Sequence, residues 1–364
     1  MLEKVKITDS FELSDEGVSF DEALETLIHS INNEANLTYL GEIAINFQIK
    51  QHLKNRELIS RKYKTLKTEK VSPPIIVIGL PRSGTTFLFN LLSKDKKFRS
   101  PLFWEMLNPL PLVKNGSYKE KVRIIKSKGI LFFKELYIPK LDDIHNINSL
   151  SPEECLLIKV LSLQSILYYY MANTPTYLDY LAEANKRESY LWHHKFLRVL
   201  EENGKPERWL LKDPSHLGNL EEILGVYPDA CFIHIRRDPS ETLPSICSLT
   251  KQVRRGFSKN IDLKELGQKT LDFWAKSNEK NESQKSNLSE NKYMSVEYED
   301  LVEDPMNLIK DIYANFSLEF CEETQTNMFK YLDKGKDEAR IPHKYSLEDY
   351  GLSRGEVHNK LNFS

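Results

Sequence analysis

The residues with the clearest chemical purpose lie at 79–86, G-L-P-R-S-G-T-T, directly after the β-branched run "IIVI" at 75–78. Gly79 and Gly84 permit a tight turn whose backbone N–H groups converge, and a helix expected from about Thr85 adds the positive end of its dipole. Such a turn holds a phosphate-like anion. The spacing is that of a nucleoside-triphosphate loop, G-x-x-x-x-G-K-[ST], with Thr85 standing where the lysine belongs. In that loop the lysine reaches the β- and γ-phosphates while the next hydroxyl holds magnesium. Here the cation has moved inside the loop, to Arg82, and no apolar strand ends in the aspartate that would complete a metal site. The loop therefore suits a terminal group less charged than a triphosphate tail, held without a metal. Pro81, Arg82, Ser83, Gly84, Thr85, Thr86 and Phe87 are its candidate binding residues.

Three further apolar runs share the character of a buried strand: "RWLLK" at 208–212, "CFIHI" at 231–235 and "KYMSV" at 292–296. Each is followed by a helix-opening signal: Asp213-Pro214, Asp238-Pro239, and "EDLVEDP" at 299–305. Repeated strand–loop–helix units imply a parallel sheet, and ligands of such sheets bind outside the carboxyl ends of the strands. Pro81, Lys212 and Arg237 all fall at such ends. The expected fold is α/β: a P-loop-like three-layer arrangement with a central parallel sheet flanked by helices. Apolar residues at three- and four-residue intervals, without proline, predict helix over 20 to about 70. The expected organisation is a helical arm at 1–70, an α/β core at 71–320 with a helical insertion at about 100–205 for the acceptor, and a tail at 321–364 packing on the core.

Composition narrows the class. The 364 residues are 40% hydrophobic and 29% charged, with a formal net charge of −2, which gives no support to nucleic-acid binding and makes any anion site local. Acidic residues occupy the start of the chain where an export signal needs an apolar core, so a cytoplasmic location is expected. The most apolar stretch, from Cys155 to Ala172, carries Lys159, Gln164 and Ser165 and falls short of the roughly 20 residues a bilayer span needs. It reads as a buried or half-buried helix; contact with a membrane surface stays open, and so does the oligomeric state. Cys155, Cys231, Cys247 and Cys321 are too scattered for a zinc site or a disulfide scaffold.

The altered loop resembles the 5′-phosphosulfate loop of the sulfotransferases, whose donor is 3′-phosphoadenosine 5′-phosphosulfate. A second motif of that family ends a strand in arginine and places a serine in the next helix, and the two grip the donor's 3′-phosphate. "FIHIRRDPSETLPSICSL" matches it with Arg237 and Ser245. "SVEYEDLVEDP" at 295–305 is similar to the segment whose tyrosine lies near the adenine, which gives Tyr298 that role. Further matches, "FRSPLFWEMLNPLP", "LSPEECLLIKVLSLQS", "RWLLKDPSHL" and "HKYSLEDYGLS", resemble the bacterial sulfotransferase-like branch and cover most of the chain. "KDP" at 212–214 also resembles the tyrosylprotein sulfotransferases, whose lysine stabilises the transferring group; that implies the same for Lys212, provided it points at the loop.

The resemblance implies in-line transfer to an acceptor oxygen, with Arg82, Lys212 and the loop N–H groups stabilising the developing charge. Three residues compete to be the base. Glu105 in "FWEM" resembles a catalytic glutamate that follows the loop, and its apolar neighbours favour a raised pKa. His216 is similar to a lysine-x-histidine pattern but is displaced by two residues; His145 precedes the "SPEE" segment, where this branch often has histidine. Aromatic residues of 100–190, among them Phe103, Trp104, Phe132, Phe133, Tyr168, Tyr169 and Tyr170, either line a site for a lipid-like hydroxyl acceptor or are simply core. Rival readings are a catalytically inactive nucleotide-binding regulatory protein and an atypical P-loop kinase using ATP.

Overall fold

The structure, a computed structural model, describes residues 18–137, 148–335 and 346–362. The chain divides into two compact units: 1–71 with 101–205 and 248–269, and 72–100 with 206–247 and 270–364.

The second unit is built on five strands: β1 (Pro74–Ile78), β2 (Phe98–Arg99), β3 (Arg208–Lys212), β4 (Cys231–Arg236) and β5 (Tyr293–Glu297). They form one parallel sheet in the order β2-β3-β1-β4-β5. β1 is buried along its whole length, as an uninterrupted apolar run in the middle of a parallel sheet must be. One face packs Ile75, Val77, Leu210, Ile233 and Val296 against Leu88 and Leu92 of the helix Thr85–Leu92 and Ile309 and Ile312 of the helix Pro305–Asn315. On the other face the Tyr293 hydroxyl accepts from Asn281 Nδ2 of the helix Leu263–Lys285 (2.9 Å) and shares a hydrogen bond with His234 Nδ1 (2.7 Å). This is the three-layer α/β fold expected from the strand–loop–helix repeats. The short edge strand β2 was not foreseen, because two residues carry no periodicity. It is held beside β3 by the register Phe98↔Arg208, and Ser100 Oγ then donates to Leu210 O (2.8 Å).

The first unit is helical. The predicted run over 20–70 is two helices, Val18–Asn33 and Tyr39–Tyr63, separated where Asn36 takes a positive φ of 46° and Leu37 bridges to Ser258. Arg56 fixes their packing: its guanidinium lies 4.0 Å from the Phe20 ring and 3.9 Å from the Trp192 ring and donates to Leu161 O at 2.7 Å. The stretch from Cys155 is buried as expected but is not one helix. It breaks into Leu156–Lys159, a single tight turn Val160–Ser162, and Leu167–Met171, with Leu163 at φ 55°. Ser165, one of the polar residues that argued against a membrane span, acts at the break together with Ser162. Ser162 Oγ donates to Lys159 O, Ser165 Oγ donates to Leu156 O, and these side-chain bonds compete with the helical ladder. Among the aromatic residues of 100–190, Phe103, Trp104, Tyr168 and Tyr169 are core, whereas Phe132 is 64% exposed.

Candidate active site

The glycine loop joins β1 to the helix Thr85–Leu92, and its conformation explains its composition. Gly79 has φ 145°, and a Cβ there would stand 2.6 Å from Ile235 O of β4. Gly84 caps the helix at φ 94°, and a Cβ there would stand 2.8 Å from Cδ2 of Tyr298. Any side chain at either position collides with backbone or with a packed ring. Ser83 is fully buried; its hydroxyl donates to Leu80 O at 2.7 Å, so it braces the turn from within. Thr85 and Thr86 open the helix, where the first N–H groups have no intrahelical acceptor.

Arg82 sits at φ 69°, a left-handed conformation that costs a non-glycine residue about 1–2 kcal/mol. Neighbours hold it there. Its carbonyl accepts from Arg237 Nη1 at 3.1 Å, and its own Nε donates to Ser245 Oγ at 3.1 Å. The two residues singled out in the second motif therefore meet the loop arginine directly, across about 150 residues of sequence. Arg237 is itself tightly placed. Glu241, one helical turn on, accepts from its Nη2 at 2.8 Å and its Nε at 3.2 Å, and its guanidinium lies 3.9 Å from the centre of the Tyr298 ring. Tyr298 thus stacks beneath Arg237 while one edge of its ring packs on Gly84.

Lys212 ends β3, in register with Val77 of β1, and is only 2% exposed. Its Nζ donates to Thr86 Oγ1 at 2.8 Å, so it points at the loop, the condition on which its expected role depended. Asp213 follows, fully buried, with Oδ1 accepting both the N–H and the hydroxyl of Ser215 at 2.8 Å. His216 closes that tight turn and is also fully buried. Glu105 belongs to the other unit. There it is buried at the third position of the short helix Phe103–Leu107, and one carboxylate oxygen accepts the Leu102 N–H at 2.9 Å. His145 lies outside the described residues.

Two groups were missed in the sequence. Glu241 had a local signal, an acid four residues after Arg237 on a helix. The other is a clamp on Asp238 with no local signal at all. Asp238 Oδ1 accepts from Ser240 N and pairs with His358 Nε2, both at 2.8 Å, and Oδ2 accepts from Arg354 Nη2 at 2.9 Å. Burial pushes the Asp238 carboxyl up, but the hydrogen bonds from Ser240 and His358 outweigh it and hold the group down at about 2. The C-terminal helix Arg354–Leu361 is thereby fastened to the residue next to Arg237.

The second unit is thus a parallel α/β sheet whose carboxyl edge gathers Arg82, Lys212, Arg237, Ser245 and Tyr298 around one glycine loop. A solved sulfotransferase, STF1 from Mycobacterium tuberculosis H37Rv, is 28% identical and superposes with a TM-score of 0.83 over 94% of this chain and 91% of that one. Sulfotransferase STF9 from Mycobacterium avium, 23% identical, has the same fold, with a TM-score of 0.84 over 95% of this chain and 90% of that one. By sequence, the omega-hydroxy-beta-dihydromenaquinone-9 sulfotransferase Stf3 of Mycobacterium bovis is 24% identical over 288 residues, 77% of this chain and 72% of the relative. The family model described as "Sulfotransferase family" matches residues 73–322, from β1 through the glycine loop to the end of β5 and its following helices. The chain belongs to the sulfotransferase family.

Proposed function

We propose that this sulfotransferase moves a sulfuryl group from 3′-phosphoadenosine 5′-phosphosulfate to the hydroxyl of an apolar, lipid-like acceptor. The observation that carries the reading is the meeting of Arg82, Lys212 and Arg237 on one glycine loop, with Ser245 bonded to the loop arginine. The chemistry of this donor set fits a ligand with anionic groups at two places. The loop N–H groups, Thr86 and Lys212 form one cationic end, and Arg237 with Ser245 forms the other. Tyr298, held flat under Arg237, supplies the apolar surface an adenine needs. The lipid-like acceptor is supported by the hydroxylated menaquinone in the name of the mycobacterial relative.

When bound, the donor supplies an activated sulfuryl group on a phosphate leaving group; the acceptor oxygen forms the new bond to sulfur as the bond from sulfur to the phosphate oxygen breaks. Lys212 and Arg82 stabilise negative charge that grows on the leaving and transferring oxygens, and both are preorganised by neutral partners, Thr86 and Ser245. The acceptor's proton goes to a carboxylate or imidazole, and Glu105 is our choice of base, ahead of His216 and His145.

The test is to supply donor labelled in its sulfur with an extract of hydroxylated lipids. Label should move into the lipid fraction as 3′-phosphoadenosine 5′-phosphate is released. Tight binding of that nucleotide with no transfer to any extract would favour the regulatory protein, and tighter, magnesium-dependent binding of ATP would favour the kinase.

A further inference from the structure

The helix Tyr118–Tyr137 of the first unit presents its apolar stripe outward. At 100° per residue Tyr118, Ile125 and Phe132 fall within a 40° arc by the helical repeat of about 3.6 residues per turn, and they are 80%, 66% and 64% exposed. Ser127, on the opposite face, is 2% exposed, so that face meets the protein body. Arg123 follows it inward, donating to Pro111 O at 2.7 Å and lying 5.4 Å from the Trp104 ring. An ordinary amphipathic helix is oriented the other way, with its apolar stripe to the core.

Charge borders the stripe on both sides. Lys121 and Lys128 lie along one edge and Lys119 and Lys126 along the other, all four exposed. The helix carries six cations against two carboxylates, in a chain of net charge −2. One of the two carboxylates, Glu120, is drawn to the helix start, where it accepts the Gly116 N–H at 2.6 Å while Ser117 Oγ accepts the Glu120 N–H at 3.2 Å. The outward surface therefore has apolar residues down the middle and lysines on the flanks, the pattern of a helix that lies in the interface plane of a membrane. Among the described residues no helix is long and apolar enough to cross one.

We propose that this face docks on the surface of an anionic phospholipid bilayer, with Tyr118, Ile125 and Phe132 entering the headgroup boundary and the lysines pairing with lipid phosphates. Charge complementarity selects this occupant. A second copy meeting the face across a two-fold axis would bring lysine flanks against lysine flanks. The inference stands on this helix alone and holds whatever the donor and acceptor prove to be.

The experiment is sedimentation of the full chain with vesicles of phosphatidylcholine alone and of phosphatidylcholine mixed with phosphatidylglycerol. Wild type should sediment with the mixed vesicles, and the bound fraction should fall in high salt, as the screening length shrinks from about 10 Å at 0.1 M to about 3 Å at 1 M. Lys121→Glu with Lys128→Glu should weaken partitioning about 25-fold or more, taking about five-fold for each lysine near an anionic surface. Tyr118→Ser with Ile125→Ser and Phe132→Ser should abolish it, with the melting temperature and turnover of a soluble phenol unchanged. The proposal is overturned if wild type ignores anionic vesicles, if the triple variant sediments like wild type, or if the lysine variant does. It is overturned equally if wild type proves to be a dimer that the triple variant dissolves.

Discussion

Replacing Lys212 by methionine separates catalysis from anchoring. The lysine is 2% exposed, and its stem is surrounded by the carboxyl end of the sheet, so methionine fills nearly the same volume; a swap of this kind costs under about 1.5 kcal/mol of stability. Thr86, the partner that loses its bond, is exposed and can turn its hydroxyl to water. The fold should survive. The charge is another matter: an ammonium about 4 Å from a developing unit charge interacts by about 4 kcal/mol at an effective dielectric of 20. Only the part of that interaction that grows between ground and transition state lowers the barrier, and removal of one such donor typically costs about 10²–10³ in kcat. The assay measures release of 3′-phosphoadenosine 5′-phosphate during turnover of a phenol, alongside calorimetric binding of the same nucleotide. Because the spent nucleotide lacks the sulfuryl group, its affinity reports the anchors and should change by less than about ten-fold. If its affinity falls as far as kcat does, or if kcat is nearly retained, Lys212 only anchors the donor and the argument from its position fails.

Other outcomes follow from neighbouring contacts. Arg237→Ala should erase most of a preference for 3′-phosphoadenosine 5′-phosphate over AMP, since a charge-assisted hydrogen bond is worth about 1.5–3 kcal/mol; an unchanged ratio in competition binding places the 3′-phosphate elsewhere. Glu105→Gln keeps an oxygen for the Leu102 N–H, so melting temperature and nucleotide affinity should hold while transfer to an alcohol collapses and transfer to an acidic phenol partly survives. Normal turnover by this variant, with a dead His216→Ala or His145→Ala, makes the histidine the base. His234 is held neutral mainly by burial, with Lys285 and Arg236 adding to the effect, and its pKa falls from 6.5 to about 3. The unfolded chain therefore binds a proton that the folded chain does not between those values. Stability should fall with falling pH across that window by up to about 1.4 kcal/mol per unit. In urea melts His234→Asn, which can still hydrogen-bond with Tyr293, should flatten this slope; an identical slope removes His234 as its source.

What could be read in advance was whatever one segment decides by itself. β1 is legible because four β-branched residues in a row after two prolines suit a strand buried on both faces, and the loop is legible because its glycines, arginine and threonines are consecutive. Lys212, Arg237 and Tyr298 were legible as strand ends, and parallel topology then obliges strand ends to share one edge. The same logic fails where the deciding partner is remote. Nothing near Asp238 announces His358 and Arg354, more than a hundred residues away, and the clamp they form exists only once the last helix has docked. Leu163 and Ser165 failed for a different reason: hydrophobicity over 155–172 does signal burial, but the serine and tyrosine hydroxyls that take the backbone carbonyls decide how the chain turns while buried. Phe132 is the instructive case. Its place among the aromatic residues of 100–190 suggested an acceptor lining or core, and the flanking lysines carried the missing information, because four exposed ammonium groups beside an apolar seam cannot turn with it into a core.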